Sequence, residues 1–212
     1  FPRLSGVAHD IVKSRDVINQ QAEVAILILA PILAVFLIFI NWVVILLYST
    51  RFLPVVNMIH WAALGIFFKA ASWPIAYLII AKGDSRTFFL SELAVHIYML
   101  GFNILGYMWG GLEGLGISYL AGYILYLVQV FAIVRKKYSF SFLWAFARIT
   151  VIQFLLGTSC FMVSRFLSSP YLYLAGTVLI LTSVYLSYRE LDRRVGLKAL
   201  IAEKFLKRKD NR

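Results

Sequence analysis

This sequence of 212 residues has little charge and almost no cysteine. Asp and Glu together number 10, Cys occurs once, and charged residues make up 15% of the chain. Soluble globular proteins carry about 25% charged residues, so the shortage excludes an ordinary soluble domain. The single Cys160 excludes a disulfide within the chain. No His, Cys or carboxylate cluster has metal-ligand spacing and no nucleophile elbow is present, so we expect no metal, no cofactor and no enzymatic activity.

Long apolar runs take the place of the missing charge. Hydrophobic residues make up 61% of the chain and the mean hydropathy is +0.82. Six segments reach the ~20 apolar residues that a helix needs to cross a bilayer: 24–48, 54–81, 88–109, 114–134, 142–164 and 170–188. These runs do not alternate apolar and polar residues as outer-membrane strands do. The sequence therefore predicts an all-α integral membrane protein with six transmembrane helices.

The basic residues indicate how these spans are oriented. Outside the spans, all Lys and Arg residues fall on one side of the predicted membrane except Arg51 and Arg165. The positive-inside rule makes the rich side cytoplasmic. Residues 1–23 are then a cytoplasmic connector, residues 189–212 a basic cytoplasmic tail, and both ends of the chain are cytoplasmic. The tail fits either an amphipathic helix on anionic lipid or a frayed end.

The net charge of +11 needs no nucleic acid to explain it. The basic residues border spans instead of forming one patch, so we expect membrane lipids as partners and no nucleic-acid partner.

Lys69 is the most informative residue of the second span. It lies ~20 Å from either end of that span, where a charge costs ~3 kcal/mol or more and usually marks a transport pathway. Residues of small or polar type share its helix face, which predicts contact with protein or a water-filled cavity: Asn57, Trp61, Gly65, Lys69, Ser72 and Ala76. We interpret Lys69, Asn57 and Ser72 as substrate-binding residues. The alternative is a structural ion pair between helices.

Two further sets of polar residues lie within spans. Glu92 and His96 stand one turn apart in span three, where a carboxylate and an imidazole could relay protons and couple an ion gradient. Alternatively, Glu92 lies at the membrane–water interface and His96 forms a hydrogen bond to a neighbouring helix. Arg148, near the cytoplasmic end of span five, fits a second substrate-facing cation or a side chain that reaches the interface.

Proline and glycine predict where the helices bend and turn. Pro31 in span one and Pro74 in span two are expected to kink their helices, because proline removes a backbone hydrogen bond. The stretch 109–116 contains four glycines and predicts a tight turn on the external side. It is not a phosphate-binding loop, since no strand precedes it and no Lys-Ser/Thr comes after it.

Short motifs in residues 1–90 carry a family resemblance. They are Phe-Pro-Arg-Leu-Ser at 1–5, Leu-Tyr-Ser-Thr-Arg-Phe at 47–52, Lys69 with Ser-Trp-Pro at 72–74, and Ala-Lys-Gly at 81–83. In order and spacing the sequence resembles the polysaccharide/O-antigen flippases. These belong to the multidrug/oligosaccharidyl-lipid/polysaccharide exporter superfamily, which also includes the MATE drug exporters. Beyond residue 90 only the hydropathy agrees.

The resemblance implies a MATE-like transporter with two lobes of helices around a central cavity. This chain resembles most of the C-terminal lobe together with the segment after that lobe, so its partner would be the N-terminal lobe of the same protein. It begins with Phe1, and we expect it to be a piece of a longer protein. Family members move undecaprenyl-diphosphate-linked oligosaccharides across the bacterial inner membrane by alternating access, coupled to an ion gradient.

These residues and the resemblance support three hypotheses. In the first, the chain belongs to a lipid-linked oligosaccharide flippase, with Lys69 facing the substrate diphosphate, Arg148 as a second cation, and Glu92 with His96 as the coupling pair. In the second it belongs to a cation-coupled multidrug exporter, for which carboxylates in the cavity are expected; among the spans only Glu92 is acidic. In the third it is a membrane scaffold that transports nothing, and neutralising Lys69 would do no harm.

Overall fold

The computed structural model describes residues 11–195, and every regular element in that range is a helix. The elements are α1 (Ile11–Leu47), a short 3-10 helix (Thr50–Val55), α2 (Val56–Ala81), α3 (Ser85–Tyr138), α4 (Trp144–Phe166) and α5 (Tyr171–Val195). The predicted all-helical class is confirmed for this range. The first ten residues and residues 196–212 lie outside it, and with them most of the predicted basic tail.

Five of the described helices are long and apolar enough to cross a membrane. Large apolar side chains are exposed on every one of them, among them Leu46, Trp73, Leu100, Leu155 and Leu181. A soluble protein would bury or dilute such a surface, whereas lipid solvates it. The five helices are compatible with a multi-pass membrane protein.

Helix α1 begins well before the predicted first span. Residues 11–23, predicted as part of a cytoplasmic connector, continue the same helix, and Ile18 and Glu23 within them are buried. Asn19 shows why this segment packs on the protein: its side-chain oxygen accepts a hydrogen bond of 2.9 Å from the backbone N–H of Leu143, just before α4 begins. The amide thereby satisfies a donor at a helix start that would otherwise lack a partner.

Helix α3 folds back on itself at two glycines. Gly110 (φ −138°) and Gly111 (φ +56°) leave the helical conformation, and the positive φ of Gly111 favours a residue without a side chain. Hydrogen bonds join residues on either side of the break, from Ser118 to the carbonyl of Phe102 near the turn to Lys137 and Asp84 at the open end. The arms 85–109 and 112–138 therefore run antiparallel.

Asp84 closes the open end of this hairpin. Its carboxylate caps α3 by accepting the N–H of Thr87 at 3.1 Å, and it also accepts from Lys137 at 2.8 Å and from the Tyr138 hydroxyl at 2.9 Å. The Lys137 ammonium and the Thr87 donors hold the pKa of Asp84 well below its ordinary range. The carboxylate therefore stays ionised and joins both arms to the end of α2.

The helices pack in two groups that share α2. Helix α1 contacts α2, α4 and α5, and their common core contains Leu37, Phe67 and Phe161. The α3 hairpin contacts α2 most extensively, around a second core that includes Ile79 and Val130. This arrangement leaves a recess where α1, α2 and α3 meet.

Both predicted kink prolines lie inside continuous helices. Pro31 is within α1 and Pro74 is within α2. Because proline lacks an N–H, the carbonyls of Leu27 and Ala70, one turn earlier, lose their helical donors.

Candidate functional site

Lys69 extends from the middle of α2 toward the α3 hairpin. Its Nζ lies 5.1 Å from the centre of the Trp73 ring and 5.2 Å from that of the Tyr123 ring. Both distances fit cation–π contacts. None of the ion pairs within the described range involves Lys69. The predicted alternative, a structural ion pair, has no partner among these residues.

The ammonium lines a pocket of about 500 Å³ between α1, α2 and α3. We call this recess the Lys69 pocket, and its wall contains these residues: Gln21, Ala25, Leu29, Ile66, Lys69, Ala70, Trp73, Pro74, Tyr77 and Tyr119. Lys69 is the one charged side chain among them. Trp73 is 50% exposed and Tyr77 is also exposed, so aromatic faces surround the cation.

Pro74 shapes the wall of the Lys69 pocket beside the cation. The carbonyl of Ala70, which loses its helical donor to this proline, belongs to a wall residue. In membrane proteins, backbone groups freed in this way are tolerated where they line a cavity or meet other protein groups. The motif therefore places an ammonium and a carbonyl that lacks its helical donor within one helical turn.

Ser72 and Asn57, the other two predicted binding residues of α2, do not line the Lys69 pocket. The Ser72 hydroxyl is buried and donates to the backbone carbonyl of Lys69 at 2.9 Å. Asn57 is exposed near the start of α2, roughly 18 Å along the helix from Lys69. Of the three, only Lys69 reaches this pocket.

A ladder of tyrosines on the second arm of α3 was not predicted from the sequence. Tyr119 and Tyr123 have ring centres 4.6 Å apart, and Tyr123 and Tyr126 have ring centres 6.2 Å apart. Tyr119 lines the Lys69 pocket, Tyr123 contacts the ammonium, and the Tyr126 hydroxyl donates to Glu92 Oε1 at 2.6 Å. The spacing of three and four residues was visible in the sequence and marks a single helix face.

Glu92 and His96 are close in space but do not bond through their side chains. The Glu92 carboxylate accepts from Tyr126, while His96 Nδ1 lies 2.6 Å from the backbone carbonyl oxygen of Glu92. His96 is exposed. The carboxylate thus connects through the tyrosine ladder toward Lys69, and the proton-coupling role of the pair stays a prediction.

Arg148 lies in a different place from Lys69. It lines a separate cleft between α4 and α5, where its Nη2 is 3.7 Å from Glu190 Oε1. The predicted second cation therefore does not share the Lys69 pocket.

Glu23 is a buried acid in the segment that the sequence predicts to be a cytoplasmic connector. Its side chain is 1% exposed and pairs with Arg194 of α5. Its Oε1 has no hydrogen-bond partner among the described residues. A buried carboxylate needs a charged partner, so Arg194 joins the two ends of the described chain.

Removing Arg194 is expected to destabilise the protein more than removing both members of this pair. Arg194→Leu leaves the Glu23 carboxylate buried without its partner, which costs about 3–5 kcal/mol, whereas Glu23→Leu/Arg194→Leu leaves no buried charge. The free energy of unfolding in detergent is measured for Glu23→Leu, Arg194→Leu and the double variant, and the three values give the coupling energy between Glu23 and Arg194. Arg193→Leu is the matched control, since Arg193 is 64% exposed and should change the free energy of unfolding by about 0–1 kcal/mol. A double variant as unstable as Arg194→Leu would contradict this account.

Comparison with known proteins returned no relative: no family model, no curated protein and no solved structure matches the chain. Within residues 11–195, no group of three His, Cys, Asp or Glu side chains could hold a metal ion. The described residues therefore define a bundle of long apolar helices that includes an aromatic-walled pocket around Lys69.

Proposed function

We propose that this chain forms part of a flippase that moves undecaprenyl-diphosphate-linked oligosaccharide across the bacterial inner membrane for surface polysaccharide or O-antigen synthesis. The observation that carries the proposal is Lys69, a cation without a carboxylate partner among the described residues, in a pocket of about 500 Å³ within an apolar helix bundle. A diphosphate loses its hydration when it enters such a bundle, and a fixed ammonium offsets that cost.

In the proposed topology the α3 hairpin crosses the membrane twice, which makes six crossings in all. At 1.5 Å per residue each arm is roughly 37–40 Å long, and the hydrocarbon core is about 30 Å thick. The reversal at Gly110 and Gly111 supports this count. Both ends of the chain then lie in the cytoplasm, as the basic residues indicate.

The Lys69 pocket would be one part of a larger cavity completed by an N-terminal lobe. Transporters built from two lobes hold their substrate at the lobe interface, and the pocket lies where α1, α2 and α3 meet. Glu92, linked to Lys69 through Tyr123 and Tyr126, is the proposed ion-coupling group together with His96.

The charge of the pocket weighs against the drug-exporter alternative. A site for organic cations would be expected to carry carboxylates, and no residue of the Lys69 pocket is acidic. A scaffold would have no need to keep a cation at this depth without a counter-charge.

Deletion of the gene that encodes this chain in its own host, followed by complementation, tests the function. The readouts are surface polysaccharide and the lipid-linked precursor held in the inner leaflet. Deletion is expected to remove polysaccharide and accumulate precursor, and the wild-type gene is expected to restore both. Unchanged polysaccharide in a strain without a second flippase would overturn the proposal, and increased drug sensitivity would favour the exporter.

A further inference from the structure

A second recess of about 280 Å³ lies between the first half of α4, at Arg148, and the last turns of α5, at Arg189 and Arg193. Polar and charged side chains line one part of it, and we call it the arginine cleft: Arg148, Gln153, Arg189, Glu190 and Arg193. Leu27, Ile149, Ile152 and Leu186 form an apolar wall beside them. The cleft is therefore lined by charged and apolar side chains together.

Positive charge exceeds negative charge in the arginine cleft. Arg148 and Arg193 each lie 3.7 Å from the same Glu190 oxygen, which is beyond hydrogen-bond distance. Their side chains are 53% and 64% exposed. Arg189 adds a third guanidinium to the wall. Three guanidinium groups and one carboxylate thus line the cleft.

Side-chain contacts next to the cleft fix the positions of the helices that form it. Arg194 pairs inward with the buried Glu23, so it fixes the end of α5 against α1. Gln153 donates to the Ser187 hydroxyl at 2.9 Å and accepts from the Ser183 hydroxyl at 2.8 Å. These buried bonds join α4 to α5 and use the polar atoms of Gln153, which leaves the arginines as the groups able to bind a ligand.

We propose that the arginine cleft binds the phosphate group of an anionic phospholipid of the cytoplasmic leaflet. Guanidinium groups bind phosphate through paired N–H donors, and basic pockets between membrane helices on the cytoplasmic side hold acidic head groups. The exposed Ile152 continues the wall toward the lipid-facing surface of α4, where Leu155 is also exposed. A free phosphate would leave this apolar wall in water, whereas the acyl chains of a phospholipid cover it.

This inference goes beyond transport of an oligosaccharide and rests on the proposed topology alone, in which the end of α5 that bears Arg189 and Arg193 faces the cytoplasm. It concerns residues outside the Lys69 pocket. A failure of the lipid test leaves the polysaccharide assay unaffected, and a normal polysaccharide level in the deletion strain leaves the lipid test standing.

The test uses the full natural protein purified in neutral detergent and stripped of lipid. Short-chain phosphatidylglycerol, phosphatidylcholine and inorganic phosphate are titrated separately, and the thermal unfolding midpoint reports binding. Phosphatidylglycerol is expected to bind at least about tenfold more tightly than either of the others. Equal affinity for the two lipids would overturn the proposal, and equal affinity for phosphatidylglycerol and phosphate would overturn its lipid part.

Variants locate the site. Arg148→Gln/Arg193→Gln is expected to lower the preference for phosphatidylglycerol to within about threefold, because two positive forks are lost. Arg148→Lys/Arg193→Lys keeps the charge but loses the paired geometry, so its preference should lie between the two. The matched control is Arg86→Gln/Lys136→Gln, which removes two exposed charges from the same predicted side. A control that loses as much preference as the Arg148→Gln/Arg193→Gln variant would place the lipid elsewhere. If Arg148→Gln/Arg193→Gln fails to fold, the proposal is tested by the affinities of the three ligands for the wild type and for Arg148→Lys/Arg193→Lys.

Discussion

Lys69→Ala is expected to reduce export of surface polysaccharide strongly and to leave lipid-linked precursor in the inner leaflet. The substitution removes the one charge of the Lys69 pocket and leaves the aromatic faces of Trp73 and Tyr123 without their cation. A hydrogen bond to a charged group contributes about 1.5–3 kcal/mol, and 1.4 kcal/mol corresponds to about tenfold. Export should therefore fall by about 10- to 100-fold in the complementation assay.

Two variants show whether the charge itself matters. Lys69→Arg keeps a cation within reach of the same rings and should restore a substantial part of export. Lys136→Ala removes an exposed lysine from the second arm of α3 and should export like wild type. All variants must be present in the membrane at equal amounts, which an immunoblot measures. Normal export by Lys69→Ala at equal amount would refute the substrate role of Lys69 and favour the scaffold hypothesis.

Gly106→Val is expected to destabilise the protein by separating the two arms of the α3 hairpin. A Cβ atom at Gly106 would overlap the Ser118 hydroxyl and the backbone carbonyl of Gly114 on the facing arm. Backbone cannot move aside as a flexible side chain can, so the free energy of unfolding should fall by about 1–3 kcal/mol or more. Thermal unfolding in detergent gives the change.

Gly101→Ala is the matched control in the same arm of α3. A Cβ atom at Gly101 would meet no other atom within 4 Å. Alanine favours a helix interior over glycine by about 0.5–1 kcal/mol, so this variant should be as stable as wild type or slightly more stable. If both substitutions changed stability equally, close approach of the arms would not be the reason for Gly106.

The boundaries of two of the apolar helices could be predicted closely from the sequence. The predicted span 54–81 corresponds to α2, Val56–Ala81, and the predicted span 142–164 to α4, Trp144–Phe166. The predicted glycine-rich turn contains the break at Gly110 and Gly111. These features are local, because hydropathy over ~20 residues and the conformational freedom of glycine need no knowledge of neighbours.

The role of Glu23 could not be predicted in the same way. The sequence placed it in a predicted cytoplasmic connector, but the side chain is buried against Arg194, which is far away in the sequence. The burial of a charge depends on whether a partner meets it, and here that partner comes from another helix.

Some residues of the site could be predicted from the sequence, and others could be found only in the structure. Lys69 and Pro74 were identified because a charge and a proline within an apolar run are costly wherever the run packs. Asn57 and Ser72 share a face with Lys69 in the sequence pattern, yet neither lines its pocket, and Tyr119 enters the site from another helix. A helix-face pattern predicts which side chains point in the same direction from one helix axis. It does not predict which residues of a neighbouring helix they will contact.

The sequence by itself determined a chain of apolar helices, their approximate ends, the turn at Gly110 and an unusual charge at Lys69. All of these depend on the transfer of local segments from water to an apolar medium or on backbone freedom at single residues. Only the tertiary structure decided that Lys69 meets aromatic rings instead of a carboxylate, and that Arg148 lies in a cleft apart from it. The reason is physical: such contacts join residues distant in the chain, and their partners are set by how helices pack together, which no local pattern records.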